Sequence, residues 1–328
     1  MMNDTEHGDT YSPPDAFMER LEADLGPEMA KRILRAFHKP GPRGVRFNPL
    51  VRSTTETRNI LIEVGITFTP VPWCEDAAVV SRDDAQLILS HTLWDEGAIH
   101  VQSLPSIAAT VALNPQPGER VLDICAAPGG KTSHIAAMME NTGEIVANDR
   151  SQTRCHRLRA LLKKLSAHAT VRCGDGTNIG HRQPDSFDRV LVDAPCSGEG
   201  RFTCLDQKTY KDWTINKTRR LASMQKSLLH SALAAVRPGG VVVYSTCTLN
   251  RIENEAVLER ALKRYGDGPT GIEFDVIETP IEPTFPALDL AQSKGAVLRS
   301  IPNPDGNEIA QAMEGFFVAK LRRRARGE

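Results

Sequence analysis

From residue 120 onward, short apolar runs alternate with amphipathic stretches, and this alternation constrains the fold more than any other feature of the chain. The runs are Arg120–Ile124, Glu144–Asn148, Thr170–Cys173, Asp188–Val192 and Gly240–Ser245. Helical patterns lie at Lys131–Met139, Ser151–Leu165 and Lys217–Val236, with another at Ile252–Tyr265 after the last run. Continuous apolar runs read as strands buried on both faces, as in parallel sheets. Strand–helix alternation then demands a parallel sheet with right-handed crossovers. A further run, Phe316–Leu321, is placed to close that sheet. The expected main domain is therefore a doubly wound, Rossmann-like α/β unit over residues 99–328.

The preceding residues read differently. A strand at Val45–Asn48, a helix at Thr54–Val64 and strand candidates at Thr67–Trp73 and Ala77–Val80 describe a small α+β module over residues 41–98. Asp15–Phe37 has helical spacing interrupted at Gly26-Pro27 and ended by Lys39-Pro40-Gly41-Pro42. Residues 1–40 are thus a tail and helical segment, with disorder expected over residues 1–15.

Bulk properties exclude several classes. No apolar stretch approaches the ~18 residues that a membrane span requires. The start, Met1-Met2-Asn3-Asp4-Thr5-Glu6, lacks the basic-then-apolar pattern of a secretory signal. Seven cysteines without CxxC spacing argue against a disulfide framework or a zinc site. A cytoplasmic protein without a metal is expected. The net charge of −1 averages over uneven segments: Lys31–Arg46 and Arg150–Lys164 each carry six Lys/Arg and no acid, and Lys320–Arg326 carries five. Such clusters either neutralise phosphates locally or are solvated helix faces and a tail.

The segment Val121-Leu122-Asp123-Ile124-Cys125-Ala126-Ala127-Pro128-Gly129-Gly130-Lys131-Thr132 runs from a strand through small residues into a helix. Small residues let a ligand approach the backbone, and the helix start offers free N–H groups. A P-loop needs glycine where Cys125 stands, which disfavours a nucleotidase, and G-x-G-x-x-G is absent. S-adenosylmethionine remains, bringing an adenosine with its ribose and a cationic sulfonium. Asp123, Asp149, Asp175 and Asp193 lie at or near four successive strand ends, suited to hydroxyls and positive charge. One or two of them are equally readable as helix N-caps.

Two cysteines follow apolar runs: Cys196 in Asp193-Ala194-Pro195-Cys196-Ser197-Gly198 and Cys247 in Ser245-Thr246-Cys247-Thr248. Ligands bind beyond the carboxyl ends of strands in open α/β sheets, so both thiols point toward one crevice, an arrangement for covalent chemistry. Cys125, Cys155 and Cys173 read as inert core, and Cys74 and Cys204 have no assigned role.

Together these segments resemble the Sun/RsmF family of RNA (cytosine-5) methyltransferases. The resemblance rests on Ala126–Thr132, Asp193–Gly198 and Tyr244–Thr248 in this order. It extends to Val101-Gln102-Ser103, Glu253-Asn254-Glu255 and Gly315-Phe316-Phe317-Val318-Ala319. Arg46-x-Asn48 and Pro72-Trp73-Cys74-Glu75 resemble the family's small N-terminal module, the latter stretch being nearest to RsmF-like ribosomal RNA enzymes. It implies a methyltransferase core preceded by a ferredoxin-like RNA-binding module. It implies cofactor contacts from Cys125, Ala126, Ala127, Pro128, Gly129, Gly130, Lys131, Asp149, Arg154, Asp175 and Asp193. It also implies that Cys247 is the nucleophile and that Cys196 assists product release. Many relatives carry a further RNA-binding extension not found here, which leaves the RNA target more open than the chemistry.

Carbon 5 of cytosine is a poor nucleophile, and addition of a thiolate to carbon 6 turns the ring into an enamine that attacks an electrophilic methyl group. Either the start of the helix near Ile252 or the cofactor's charge would favour the Cys247 thiolate. Asp193, buried, would share a proton with ring nitrogen 3. The base must leave its stack, which suits looped or open RNA. A monomer acting on ribosomal RNA is expected, with transfer RNA or a non-catalytic ribosome assembly role as alternatives.

Overall fold

The computed structural model describes residues 11–39, 41–266, 273–278 and 297–325. Residues 1–10 of the expected tail and Arg326 of the last basic cluster lie outside the described residues.

Strands β1 (Arg43–Phe47), β2 (Thr69–Pro70), β3 (Ala77–Val80) and β4 (Ile99–Val101) form a four-stranded sheet in the order β2-β3-β1-β4, every pairing antiparallel. With helices Thr54–Glu63 and Arg82–Leu89 the chain runs β-α-β-β-α-β, the split βαβ of ferredoxin-like modules. Val45, Phe47, Leu61, Val80, Ile88 and Ile99 are among its buried core residues. Ser53 and Glu56 close a capping box on the first helix, and Ser81 caps the second. The sheet takes in Ile99–Val101, which the sequence reading placed at the start of the next unit; a three-residue strand with a central histidine leaves little periodic signal. Of Thr67–Trp73 only Thr69–Pro70 pairs, because Pro70 and Pro72 bring no N–H to a ladder.

The larger sheet has eight strands: β5 (Arg120–Asp123), β6 (Glu144–Asp149), β7 (Thr170–Cys173), β8 (Phe187–Asp193), β9 (Val236–Thr246), β10 (Phe274–Val276), β11 (Val297–Ser300) and β12 (Phe316–Arg323). The order is β10-β12-β9-β8-β5-β6-β7, with β11 also on β12. Strands β5 to β9 pair in parallel, and β12 lies antiparallel to β9. Both faces are covered. Leu122, Val190, Val192, Val242 and Tyr244 pack toward helices Ile215–Ala235 and Glu255–Gly266, whereas Val121, Leu191 and Val243 pack toward Leu104–Leu113, Gly130–Met138 and Gln152–Lys164. That double burial is why these strands read as unbroken apolar runs. Helix Leu104–Leu113 escaped the sequence reading because it is buried nearly all round and has no amphipathic stripe.

The strand order reverses at β5, whose neighbours are β6 and β8, so the ligand crevice of a doubly wound sheet opens at their carboxyl ends. Two helices, Asp15–Leu25 and Pro27–His38, break at Gly26, whose φ is 83°. They pack Phe17, Leu21, Ile33 and Phe37 against Phe202, Tyr210, Trp213 and Leu249, bracing the segment after β8.

The Arg46-x-Asn48 signature joins the two sheets. Arg46 is fully buried; its Nε donates to Gln102 Oε1 at 3.0 Å and its Nη2 to Ser133 Oγ at 2.8 Å. Asn48 Nδ2 donates to the carbonyls of Gly97 (2.8 Å) and Leu165 (2.9 Å). Ser133 in turn donates to the Gly130 carbonyl at 2.9 Å, so the small module holds the loop after β5.

One expectation is corrected here. Cys155 and Cys173, read as inert core thiols, are joined by a disulfide. Helix Gln152–Lys164 packs on β7 and brings their Cα atoms to 6.3 Å, a proximity no spacing rule reveals.

Candidate active site

Strands β8 and β9 run parallel with Asp193 in register with Ser245, so the turns beyond their ends emerge side by side. Cys196 and Cys247 meet there. Their sulfurs are 2.9 Å apart, both thiols are free, and the Cys247 N–H donates to Cys196 Sγ at 3.2 Å. Hydrogen bonding from the Cys196 S–H holds the Cys247 thiol below its usual range. Arg201 and Lys131 add to this against burial and Asp193. The same contact, with burial, pushes Cys196 well above the usual thiol range. The contact thus favours the thiolate form at Cys247 over Cys196. The helix expected to help near Ile252 begins instead at Glu255. Arg201, five residues past Cys196 in the same segment, supplies positive charge that the sequence reading missed.

Buried carboxylates fix both cysteine turns. Glu253 Oε1 accepts from the Ser197 N–H (2.9 Å) and from Gln225 Nε2 (2.8 Å), and Gln225 also donates to the Pro195 carbonyl (2.9 Å). Glu199 accepts from Trp213 Nε1 (2.8 Å), Asn250 Nδ2 (3.1 Å) and Arg20 (2.7 Å). Glu253 and Asn254 stand in the stretch after Cys247 that the family resemblance singled out. Asn254 Nδ2 donates to the Thr248 carbonyl at 3.1 Å. Gly200 is wedged between strands: its N–H donates to the Cys247 carbonyl at 3.1 Å and its carbonyl accepts from the Gly315 N–H at 3.0 Å.

Lys131 and Asp193 form an ion pair of 2.7 Å, and Ser245 Oγ donates to the other Asp193 oxygen at 3.0 Å. Burial was expected for Asp193, yet its side chain keeps 30% exposure. Lys131, at a helix start, faces this pair rather than solvent, with 12% exposure.

Beside them, at the ends of β5, β6 and β7, lies a cleft of about 280 Å³. Cys125, Asp149, Arg154 and Asp175 line it, together with Arg150, Thr177 and the apolar Ile124, Pro195, Met224 and Leu228, which the sequence did not single out. Asp149 accepts from the Ala127 N–H (3.3 Å) and the Ser151 N–H (3.0 Å) and pairs with Arg154 at 3.3 Å. Asp175 is the N-cap of the turn Gly176–Asn178, its oxygen accepting from Thr177 N–H and Oγ1, as the helix-cap alternative allowed. Ala126, Ala127, Pro128, Gly129 and Gly130 shape the loop beside the cleft and do not form its wall. Gly129 has φ 118°, a conformation suited to glycine. Asp123 is buried; Thr132 Oγ1 donates to one oxygen at 2.7 Å, and the other is buried without a hydrogen-bond partner. Burial raises its carboxyl to about 7. A ligand with an apolar ring, hydroxyls and a cationic group fits this lining.

A doubly wound sheet with such a cleft at its switch point, paired thiols beside it and a ferredoxin-like module in front defines a Rossmann-like methyltransferase. More specifically, the chain belongs to the 16S rRNA methyltransferase RsmB/F family, which matches residues 110–322. The N-terminal domain of 16S rRNA methyltransferase RsmF matches residues 14–104. The chain is 37% identical over 319 residues to a ribosomal RNA small subunit methyltransferase F of Klebsiella pneumoniae (95% of this chain, 64% of that protein). It is 36% identical over 316 residues to the protein of that name in Escherichia coli O9:H4 (94% and 63%). The chain thus spans less than two thirds of the length of these relatives. Among solved structures, a methyltransferase homolog protein from Pyrococcus horikoshii aligns with TM-score 0.79 and 31% identity, covering 94% of this chain and 95% of that one. NSun6 from Pyrococcus horikoshii, crystallised with SFG, shares the fold with TM-score 0.80 at 21% identity, covering 94% and 98%.

Proposed function

We propose that this protein transfers a methyl group from S-adenosylmethionine to carbon 5 of a cytosine in RNA, with small-subunit ribosomal RNA as the substrate and the cytoplasm as its location. The observation that carries this reading is the Cys196–Cys247 pair, 2.9 Å between sulfurs, beside the Lys131–Asp193 ion pair. Such a pair offers one thiolate to attack and a second thiol to act as acid or base, which a merely structural cysteine contact does not need.

When bound, S-adenosylmethionine supplies an electrophilic methyl group. Asp149 and Asp175 would hold its ribose hydroxyls, the apolar wall its adenine, and the unpartnered Asp123 oxygen its ammonium group. Cys247 Sγ forms a bond to carbon 6 of the cytosine as Arg201 holds the sulfur in its thiolate form. The electron pair displaced from the 5,6 double bond is accommodated toward nitrogen 3, which takes a proton relayed from the Lys131 ammonium through Asp193 and returns it when the 5,6 double bond re-forms. Once carbon 5 carries its methyl group and Cys196 has released its own proton to solvent, the carbon 5 proton passes to the Cys196 sulfur. Its electron pair re-forms the 5,6 double bond, the carbon 6–sulfur bond breaks and Cys247 leaves as thiolate. The module over residues 41–98 serves as the RNA-binding part, and the protein acts as a monomer.

Incubating the full chain with methyl-labelled S-adenosylmethionine and ribosomal RNA or small-subunit particles tests this reading. Label recovered as 5-methylcytosine is the expected result. Labelled RNA without 5-methylcytosine, or no transfer at all, would overturn it.

A further inference from the structure

A second cleft, of about 590 Å³, is distinct from the one at the ends of β5 to β7. Its walls come from four parts of the chain: the end of helix Pro27–His38, the start of β1 and of helix Arg82–Leu89, the segment Gly200–Asp206, and the stretch before β12. Four of its residues are cationic: Lys39, Arg43, Arg82 and Arg201. All four are exposed, and none is in an ion pair among the described residues. Arg43 is opposite Val80 across the β1–β3 pairing and Arg82 follows two residues on, so two like charges share one wall. Asp206 and Glu314 are the acids of the cleft. Asp206 caps the turn at Gln207–Thr209, and burial raises the Glu314 carboxyl.

Lys39 and Arg43 come from the Lys31–Arg46 run, and other members of the basic runs are engaged elsewhere. Lys31 pairs with Glu28 and Arg35 with Asp305; Arg46 is buried; Lys164 lies over the Trp94 ring; Arg322, Arg323 and Arg324 pair with Asp275, Asp185 and Glu273. Arg150, Arg157, Arg159 and Lys163 are exposed and in no ion pair among the described residues, but they lie on and just before helix Gln152–Lys164, outside the walls of this cleft. Lys39, Arg43, Arg82 and Arg201 instead converge in one concavity, where Glu314 is the acid facing Arg201 and Arg43. Uncompensated like charges in a concavity repel one another, and a polyanion relieves this. The wall of the cleft is tied to the Cys247 turn through the backbone. Gly200, in its wall, donates to the Cys247 carbonyl, and Arg201 follows it.

We propose that this cleft is the seat of the RNA sugar–phosphate strand next to the target nucleotide, with Arg43 and Arg82 on consecutive phosphates and Arg201 on the phosphate nearest Cys247. A positively charged groove grips a single strand by its backbone and lets the adjoining base turn inward. The inference rests on the reading of the protein as an RNA methyltransferase, and it adds which surface holds the strand.

The test is the affinity of the full chain for a fluorescein-labelled single-stranded RNA of mixed sequence, by anisotropy, across salt concentrations. Each phosphate contact on a single strand contributes about −0.7 to the slope of log K against log salt. The double substitution Arg43→Gln/Arg82→Gln should flatten that slope by about 1.4. The affinity lost between ~50 and ~200 mM salt should then shrink on the order of sevenfold. Arg43→Lys/Arg82→Lys should keep the slope, Lys31→Gln/Arg35→Gln should leave it unchanged, and melting temperature should verify folding in each. If the double glutamine does not fold, Arg82→Gln alone should flatten the slope by about 0.7. A slope unchanged in a folded variant overturns the proposal, even if that variant methylates RNA. Flattening in a protein that methylates nothing supports the strand seat and defeats the chemistry, so the two readings fail separately.

Discussion

Lys131 Nζ lies 2.7 Å from Asp193 Oδ2 although the residues are 62 positions apart, one at the start of the helix after β5 and the other at the end of β8. The pair spans the switch point of the sheet, and its charges reach both Cys247 and Asp123. An ion pair in this place couples the loop beside the nucleoside-sized cleft to the thiols.

If the pair acts as a unit on the base, Asp193→Asn and Lys131→Met should each lower kcat about 10²-fold or more, with folding retained. The double variant should be no slower than the slower single, because members of one unit are not additive. Single-turnover kinetics on saturating RNA measures this; losses that multiply in the double variant would show that the two act independently.

The thiols should be separable by trapping. Cys247→Ser should abolish turnover without an adduct, and Cys196→Ser should accumulate a protein–RNA adduct that survives denaturation, seen as a shifted band on a denaturing gel. The reverse pattern would exchange the two roles.

A pH measurement tests the electrostatics directly. The Cys247 thiol is held below its usual range chiefly by Cys196, so its alkylation by iodoacetamide should rise through a midpoint below that of an ordinary thiol. Cys196→Ala removes the donor and should move the midpoint upward. A midpoint identical in both proteins would remove Cys196 as the cause.

Asp123 predicts an effect on stability. Its folded pKa is raised by burial to about 7, above the ordinary carboxyl value near 4 of the unfolded chain. Between about pH 4 and 7 the folded protein holds the proton that the unfolded chain releases, so this residue makes stability fall as pH rises. Asp123→Asn mimics the protonated form, and its melting temperature should gain on that of the parent across this window. Parallel melting curves against pH would show that the residue titrates normally.

Gly200→Ala should destabilise the fold by about 1–3 kcal/mol, because there is no room for the added methyl group. A Cβ there would lie 1.8 Å from the Gly315 carbonyl oxygen. The substitution forces apart the Cys247 turn and the start of β12, and chemical denaturation should reveal it; an unshifted midpoint would mean that the contact yields freely.

The large sheet was legible because double burial writes itself as continuous apolar runs, and β5, β6, β7, β8 and β9 all fell close to the expected positions. The thiol motifs and strand-end acids were legible because a parallel sheet delivers its strand ends to one side whatever the connecting helices do. Other features carried no local signal. Leu104–Leu113 is buried nearly all round, Ile99–Val101 is too short for a period to show, and Cys155 and Cys173 meet only because a helix packs on β7.

What the sequence by itself determined is the set of chemical groups and the strand-by-strand framework that carries them, since both follow from local burial and chain order. Only the tertiary structure decided which thiol the contact favours as thiolate, which arginine stands beside it and which positive charges gather in one cleft. Those outcomes depend on distances between groups far apart in the chain, and a Coulombic or hydrogen-bonded contact is settled by separation in space, not by position along the backbone.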